Sequence, residues 1–238
     1  MNYYDTEEYK NRIHLLEDQV FSKISFENID RVIKLTSGYT IKCFRFIDKE
    51  GSKPGFAPVD GEICRLYHND IMVFEWKHID GCTRFSKIID HSDGRQYLVF
   101  DEELYGYSVL DLNSFECMHY LPKESYLEYP GGFEETFIWC DCHYNDSTNQ
   151  LAVEGCFWGA PYSVAIIDFA NPMVAVEAKD WIDIYDECYK CDPTIAHIDF
   201  VKWDGPILIC RSDGFVDMSL AVNGKYTVKV YKDQVDSN

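Results

Sequence analysis

RQYLVFDEELYGYSVLDLNSFECMHY, residues 95–120, is built from alternating and β-branched apolar runs broken at Gly106 and at Asn113-Ser114. Turn formers between short runs of this kind mark successive antiparallel strands. NQLAVEGCFWGAPYSVAIIDFANPMVAV, residues 149–176, repeats the scheme. Tyr97-Leu98-Val99 aligns with Leu151-Ala152-Val153, Tyr107-Ser108-Val109 with Tyr162-Ser163-Val164, and Asp111-Leu112 with Asp168-Phe169, with an insertion of only a few positions. A duplicated unit explains that order more simply than chance.

A matching cadence of apolar run, polar turn and apolar run occurs at 35–40, 90–96, 144–150 and 203–207. The starting positions are 55, 54 and 59 residues apart, a period at which repeated all-β units are found. In the last unit, 195–231, Asp204-Gly205 and Asn223-Gly224 separate four strand-like runs, and both pairs tolerate the positive φ of tight hairpins. The first unit, 28–78, carries a long Gly- and Pro-bearing loop at 48–61 and then ICRLYHNDIMVFEWKH, with Asn69-Asp70 as its turn.

Over residues 25–231 the chain resembles a β-propeller, in which each blade is a four-stranded meander and a short Asp-hydrophobic pair (Asp111-Leu112, Asp168-Phe169) closes the third strand. The Gly-His and Trp-Asp signatures of WD40 repeats are absent. The resemblance implies a small, all-β, propeller-like ring of about four four-stranded antiparallel units. A β-sandwich assembled from the same hairpins is the alternative. Ahead of the repeats, Tyr9, Ile13, Leu16 and Val20 fall on one stripe of a helix, and Asp5, Glu7 and Glu8 suit its positive amino end. A helix over 5–21, packed on the outside of the main fold, is expected.

With 238 residues, 46% hydrophobic and 16% aromatic, the chain can bury one core and reads as a single domain, 1–238. Its 22 basic and 41 acidic residues leave a net charge of −19, which repels phosphate backbones and anionic lipid surfaces. Nucleic acid and membranes are therefore excluded as partners. The same charge steers basic proteins toward it, or serves solubility alone. The polar, acidic start MNYYDTEEYKNR and the lack of a spanning apolar run predict a cytoplasmic protein. Its ten cysteines then read as reduced thiols, with Cys43, Cys156 and Cys210 as small core residues.

EETFIWCDCHYND, 134–146, is the densest cluster of reactive side chains. Strand alternation predicts Cys140 and Cys142 on one face and Trp139, Asp141 and His143 on the other. Cys140 and Cys142 with Cys188 and Cys191 of CYKC are candidate zinc thiolates, weighed against simple packed or exposed thiols. A redox role for CYKC lacks the strand-to-helix context it needs. Glu135, Asp141, His143 and Glu154 are candidate acid and base groups, weighed against structural hydrogen bonding. GCFWGAPY, 155–162, matches no nucleotide-binding glycine pattern and reads as a loop presenting Phe157, Trp158 and Tyr162, unless these rings pack between units. KESYLEYPGGFEE, 123–135, is a linker broken at Pro130-Gly131-Gly132.

The expected function is a non-catalytic binding module without a cofactor. In that reading Trp139, Phe157, Trp158, Tyr162 and Glu134, together with Glu135 and Asp141, form one face that engages a protein, a basic one on charge grounds, as an inhibitor or immunity protein would. The alternative is an enzyme with an acidic aromatic pocket of Trp139, Asp141, His143 and Glu154, acting on carbohydrate.

Overall fold

The computed structural model describes residues 2–49, 59–79, 85–126, 134–213, 218–222 and 226–232. Four four-stranded sheets follow one another along the chain. The first contains β1 (Arg31–Lys34), β2 (Tyr39–Asp48), β3 (Val59–His68) and β4 (Ile71–Ile79), and the second β5 (Ser86–Asp90), β6 (Gln96–Glu102), β7 (Gly106–Asp111) and β8 (Cys117–Tyr120). The third contains β9 (Ile138–Asn145), β10 (Gln150–Cys156), β11 (Ser163–Asp168) and β12 (Ile182–Asp183), and the fourth β13 (Ile198–Asp204), β14 (Ile207–Ser212), β15 (Met218–Val222) and β16 (Tyr226–Lys232). The chain is mostly β, and no described helix is long and apolar enough to cross a membrane.

Each stretch of the repeated cadence forms the first hairpin of its sheet. Lys34 pairs with Thr40, Asp90 with Gln96, Asn145 with Gln150 and Asp204 with Ile207. The turn chemistry explains why: Ser37 and Gly38 take φ of 56° and 76°, and Gly205 takes 55°. At the Asn69-Asp70 turn both residues are left-handed (50° and 65°), as a type I′ hairpin requires. Asp111 and Asp168, at the ends of their third strands, each accept a hydrogen bond from the backbone N–H two residues on. An Asx turn stops the strand there.

The first three sheets are antiparallel meanders. The fourth differs, because β16 lies between β14 and β15 and runs parallel to β14. That position sets the buried Val228 and Val230 beside Leu208 and Cys210. The predicted Asn223-Gly224 turn, most of the 48–61 loop and Pro130-Gly131-Gly132 lie outside the described residues.

Neighbouring sheets stack face to face. Leu98, Phe100 and Leu110 of the second sheet pack on Ile41, Cys43, Cys64 and Trp76 of the first. Tyr97, Val99, Tyr107 and Val109, on its other face, pack on Trp139, Leu151, Val153 and Ile167 of the third. Ala152, Val164 and Ile166 then meet Leu208, Cys210, Val228 and Val230 of the fourth, with α2 (Ile184–Tyr189) in the same core. Among the described residues no hydrophobic cluster joins the fourth sheet back to the first.

The pairings correct the repeat alignment at two strands, by two residues at β7 and β11, where Tyr107 corresponds to Val164, and by one at β6 and β10. Tyr97 pairs with Asp111 and Gln150 with Asp168, so Leu98 corresponds to Leu151, one residue away from the match expected above. Both leucines face the preceding sheet. A strand buried on both faces has no polar alternation to set its phase.

The amino-terminal helix α1 spans Glu7–Gln19, and the Thr6 hydroxyl caps it by accepting from the Tyr9 N–H at 3.2 Å. Leu16 and Val20 pack on Phe44, Ile63 and Ile79, the face of the first sheet turned away from the second. The expected stripe is the one buried.

Candidate functional site

Between the second and third sheets lies a cavity of about 390 Å³. Tyr120, Phe137, Phe157 and Trp181 supply its aromatic surface, and Glu124, Glu134, Glu135, Glu177 and Asp183 its carboxylates. Among the described residues Lys179 is the cation that lines it, and its ammonium is 2.8 Å from Glu177.

Backbone and side-chain bonds fix this frame. The Tyr107 hydroxyl accepts from the Val176 N–H at 2.9 Å and the Tyr120 hydroxyl from the Ala178 N–H at 2.8 Å. The Trp181 indole donates to the Val176 carbonyl at 2.9 Å. The connection from β11 to β12, which carries Glu177, Lys179 and Trp181, is thereby tied to tyrosines of the second sheet. On the opposite wall the Glu134 N–H donates to the Glu124 carbonyl at 3.1 Å, and the Ser125 hydroxyl lies 2.7 Å from the Glu134 carbonyl oxygen. Phe137 meets Phe157 edge-on at 5.6 Å. Burial raises Asp183 above the ordinary carboxylate range, although the Ser163 hydroxyl and the Tyr185 N–H both donate to it.

Trp139 belongs to the floor beneath this cavity and not to a recognition surface. It is fully buried, stacked on Tyr107 at 4.3 Å and edge-on to Trp181 at 5.5 Å. The expected alternation fails here because the pairing of β9 with β10 shifts between Glu154 and Gly155: Glu154 opposes Asp141, while Gly155 opposes Trp139. Cys140 is the extra residue of a β-bulge, so Trp139 and Cys142 both reach the core between the second and third sheets.

The bulge leaves Asp141 and His143 together with Glu154 on the third sheet's other side. His143 Nε2 is 2.6 Å from Glu154 Oε1 and 3.8 Å from Asp141 Oδ2. The imidazole lies flat on Phe200 of β13, with centroids 3.7 Å apart and planes within 5°. Lys87 of β5 reaches Asp141 Oδ1 at 3.0 Å and His143 Nδ1 at 3.5 Å. Tyr162 belongs to the same neighbourhood: burial first, then the charges of Glu154, Cys140 and Asp141, raise its hydroxyl above the ordinary tyrosine range. None of the trio lines the 390 Å³ cavity, so the pocket expected to join Trp139 to Asp141, His143 and Glu154 does not form.

Of the predicted recognition residues, Glu134, Glu135 and Phe157 line the cavity, and Trp158 is 66% exposed on the loop beyond it. The four-thiolate zinc site does not assemble. Cys142 lies in the core between the second and third sheets, whereas Cys188 lies in the core between the third and fourth, on the opposite face. Burial pushes both thiols up to about 12, which suits neither a thiolate ligand nor a nucleophile. CYKC itself sits at the end of α2 and just beyond it, not at a helix start.

Of the cavity residues not anticipated, Tyr120 ends the 95–120 repeat, while Glu124, Thr136, Phe137, Glu177, Lys179, Trp181 and Asp183 fall outside both repeats. EAKDWIDIYDE, 177–187, was the available signal, since it sets aromatic residues among carboxylates.

No protein-family model matches the chain, and no solved structure matches it. A stretch of 74 residues, 29% of the chain, is 35% identical to "Uncharacterized protein R762" of Acanthamoeba polyphaga mimivirus. The match spans 27% of that protein's length.

Proposed function

We propose that this chain is a non-catalytic, cytoplasmic binding module, its four sheets arranged as the blades of a small propeller-like array, and that its acidic aromatic cavity receives a cationic side chain of a basic protein. An inhibitor or immunity role suits that chemistry. The observation that carries the reading is the cavity's make-up among the described residues: the carboxylates of Glu124, Glu134, Glu135, Glu177 and Asp183 around Tyr120, Phe137, Phe157 and Trp181. Aromatic faces attract guanidinium and ammonium groups, and the carboxylates add charge-assisted hydrogen bonds. Its aromatic members are anchored by neighbouring rings and backbone bonds, so little ordering is left to occur on binding. The net charge of −19 brings a basic partner to the surface faster.

Calorimetric titration with an arginine-rich peptide tests the reading. Saturable one-to-one binding that weakens with salt and weakens about tenfold in the Glu134→Gln/Glu135→Gln double variant is expected. An affinity equal to that of a glutamate-rich control peptide, or unchanged in the double variant, refutes it.

One observation favours a second reading. Carboxylates on an aromatic floor are also what a glycosidase offers, and Asp183, whose proton burial helps to retain, is the group that would serve as its general acid. Turnover of aryl glycosides by the natural chain, abolished by Asp183→Asn, would replace recognition with catalysis.

A further inference from the structure

We propose that Asp141, His143 and Glu154 bind a first-row divalent cation, for which Mn²⁺ is the suitable probe, at a site separate from the acidic aromatic cavity. The proposal does not rest on the recognition reading. One ligand atom from each of the three residues can be chosen so that all lie within 4.8 Å of one another. Metal–ligand bonds to imidazole and carboxylate are about 2.0–2.2 Å, so neighbouring ligands around one ion stand roughly 3 Å apart. The observed 2.6 and 3.8 Å separations from His143 Nε2 bracket that value. Small side-chain rotations suffice to close the set.

The fold places the three donors rather than leaving them to chance. Asp141 and His143 are two residues apart on β9, and Glu154 is directly opposite Asp141 on β10, just before the bulge that turns Trp139 away. The Phe200 ring holds the imidazole plane. Asp141 Oδ1 accepts from the Cys142 N–H at 2.7 Å, so the carboxylate is anchored to the backbone through one oxygen while Oδ2 faces His143. Supporting bonds of this kind orient metal-ligating carboxylates in known sites.

One imidazole and two carboxylates form a mixed nitrogen and oxygen set that suits ions of the manganese, iron and zinc class and leaves positions for water. Mn²⁺ is the cleaner probe, since the thiols elsewhere in the chain compete for zinc. Lys87 holds the competing charge. Its ammonium is 3.5 Å from His143 Nδ1, and coordination through Nε2 requires a proton on Nδ1, so the ion and Lys87 oppose each other. With 38% of its side chain exposed, Lys87 can swing outward.

Mn²⁺ binding to the full chain, read by electron paramagnetic resonance, tests the proposal. One equivalent is expected. Glu154→Gln and His143→Gln should each weaken it by at least the roughly 10–100-fold that supporting residues alone are worth. Lys87→Met should tighten it by about fivefold or more, since two unit charges about 4 Å apart in water are worth about 1 kcal/mol and the ion carries two. That gain cannot come from a variant that fails to fold, and thermal melts of the two glutamine variants separate ligand loss from unfolding. Unaltered Mn²⁺ binding in folded Glu154→Gln and His143→Gln, or no binding by Lys87→Met at millimolar Mn²⁺, overturns the site.

Discussion

The two sides of the third sheet do different work with nearly the same strands. Toward the second sheet, Trp139, Leu151, Val153 and Ile167 build an apolar core that shares Phe137, Phe157 and Trp181 with the carboxylate-rimmed cavity. Toward the fourth, Ala152, Val164 and Ile166 are equally apolar, yet Asp141, His143 and Glu154 gather there into a polar trio. A single bulged residue, Cys140, separates the two outcomes, because it lets Trp139 and Asp141 point to opposite sides although both have odd numbers. The comparison shows that side-chain placement in a buried sheet is set by register as much as by hydrophobicity.

Removing the floor should have the largest effect. Trp139→Ala deletes a fully buried ring stacked on Tyr107, and a loss of about 3–5 kcal/mol in denaturant unfolding is expected. A loss under about 1 kcal/mol would mean that the ring is not in the core. Next is the bulge itself. A Cβ on Gly155 would collide with the Ile138 carbonyl oxygen, so Gly155→Ala must shift backbone and should cost about 1–3 kcal/mol. A neutral Gly155→Ala would break the account of how the two sides diverge.

Effects on the cavity rim should be smaller and confined to binding. Glu134→Gln/Glu135→Gln should lower affinity for an arginine-rich peptide about tenfold, or about 1.4 kcal/mol, while stability moves by no more than about 0.5 kcal/mol. A comparable loss of stability would make the pair structural. The smallest effect is on pH dependence. Burial raises the Asp183 pKa, and a cation prefers the ionised carboxylate, so peptide affinity should fall on acidification from above the ordinary aspartate range. Asp183→Asn should lower affinity at neutral pH and remove that part of the acid loss. An identical pH profile in Asp183→Asn would assign the dependence to the other carboxylates.

Much of the fold could be read from turn chemistry. Asn69-Asp70 and Asp204-Gly205 are hairpins because Asn69, Asp70 and Gly205 take positive φ, a preference that belongs to the residues themselves. The α1 stripe was equally local. The alignment of Leu151 was not, since β6 and β10 are buried on both faces and either phase satisfies the pattern. The parallel placement of β16 depends on pairing with a strand it does not follow in the chain. At the site, Glu134, Glu135 and Phe157 were legible as acidic and aromatic side chains near a loop. Trp181 and Asp183 join them only because Tyr107 and Tyr120, about sixty residues earlier, hold the 176–178 backbone. Asp141, His143 and Glu154 were expected together with Glu135 and Trp139; Glu135 lines the cavity instead, and the separation from Trp139 required the bulge.

Two indoles report on the two sides independently. Trp181 Nε1 donates to the Val176 carbonyl at the cavity, and Trp203 Nε1 donates to the His143 carbonyl beside the trio. In a nitrogen–proton correlation spectrum of the labelled chain, titration with an arginine-rich peptide should shift the Trp181 indole resonance and leave that of Trp203 in place. A Trp203 shift with Trp181 unmoved, or no shift of either at saturating peptide, would contradict recognition through the acidic aromatic cavity.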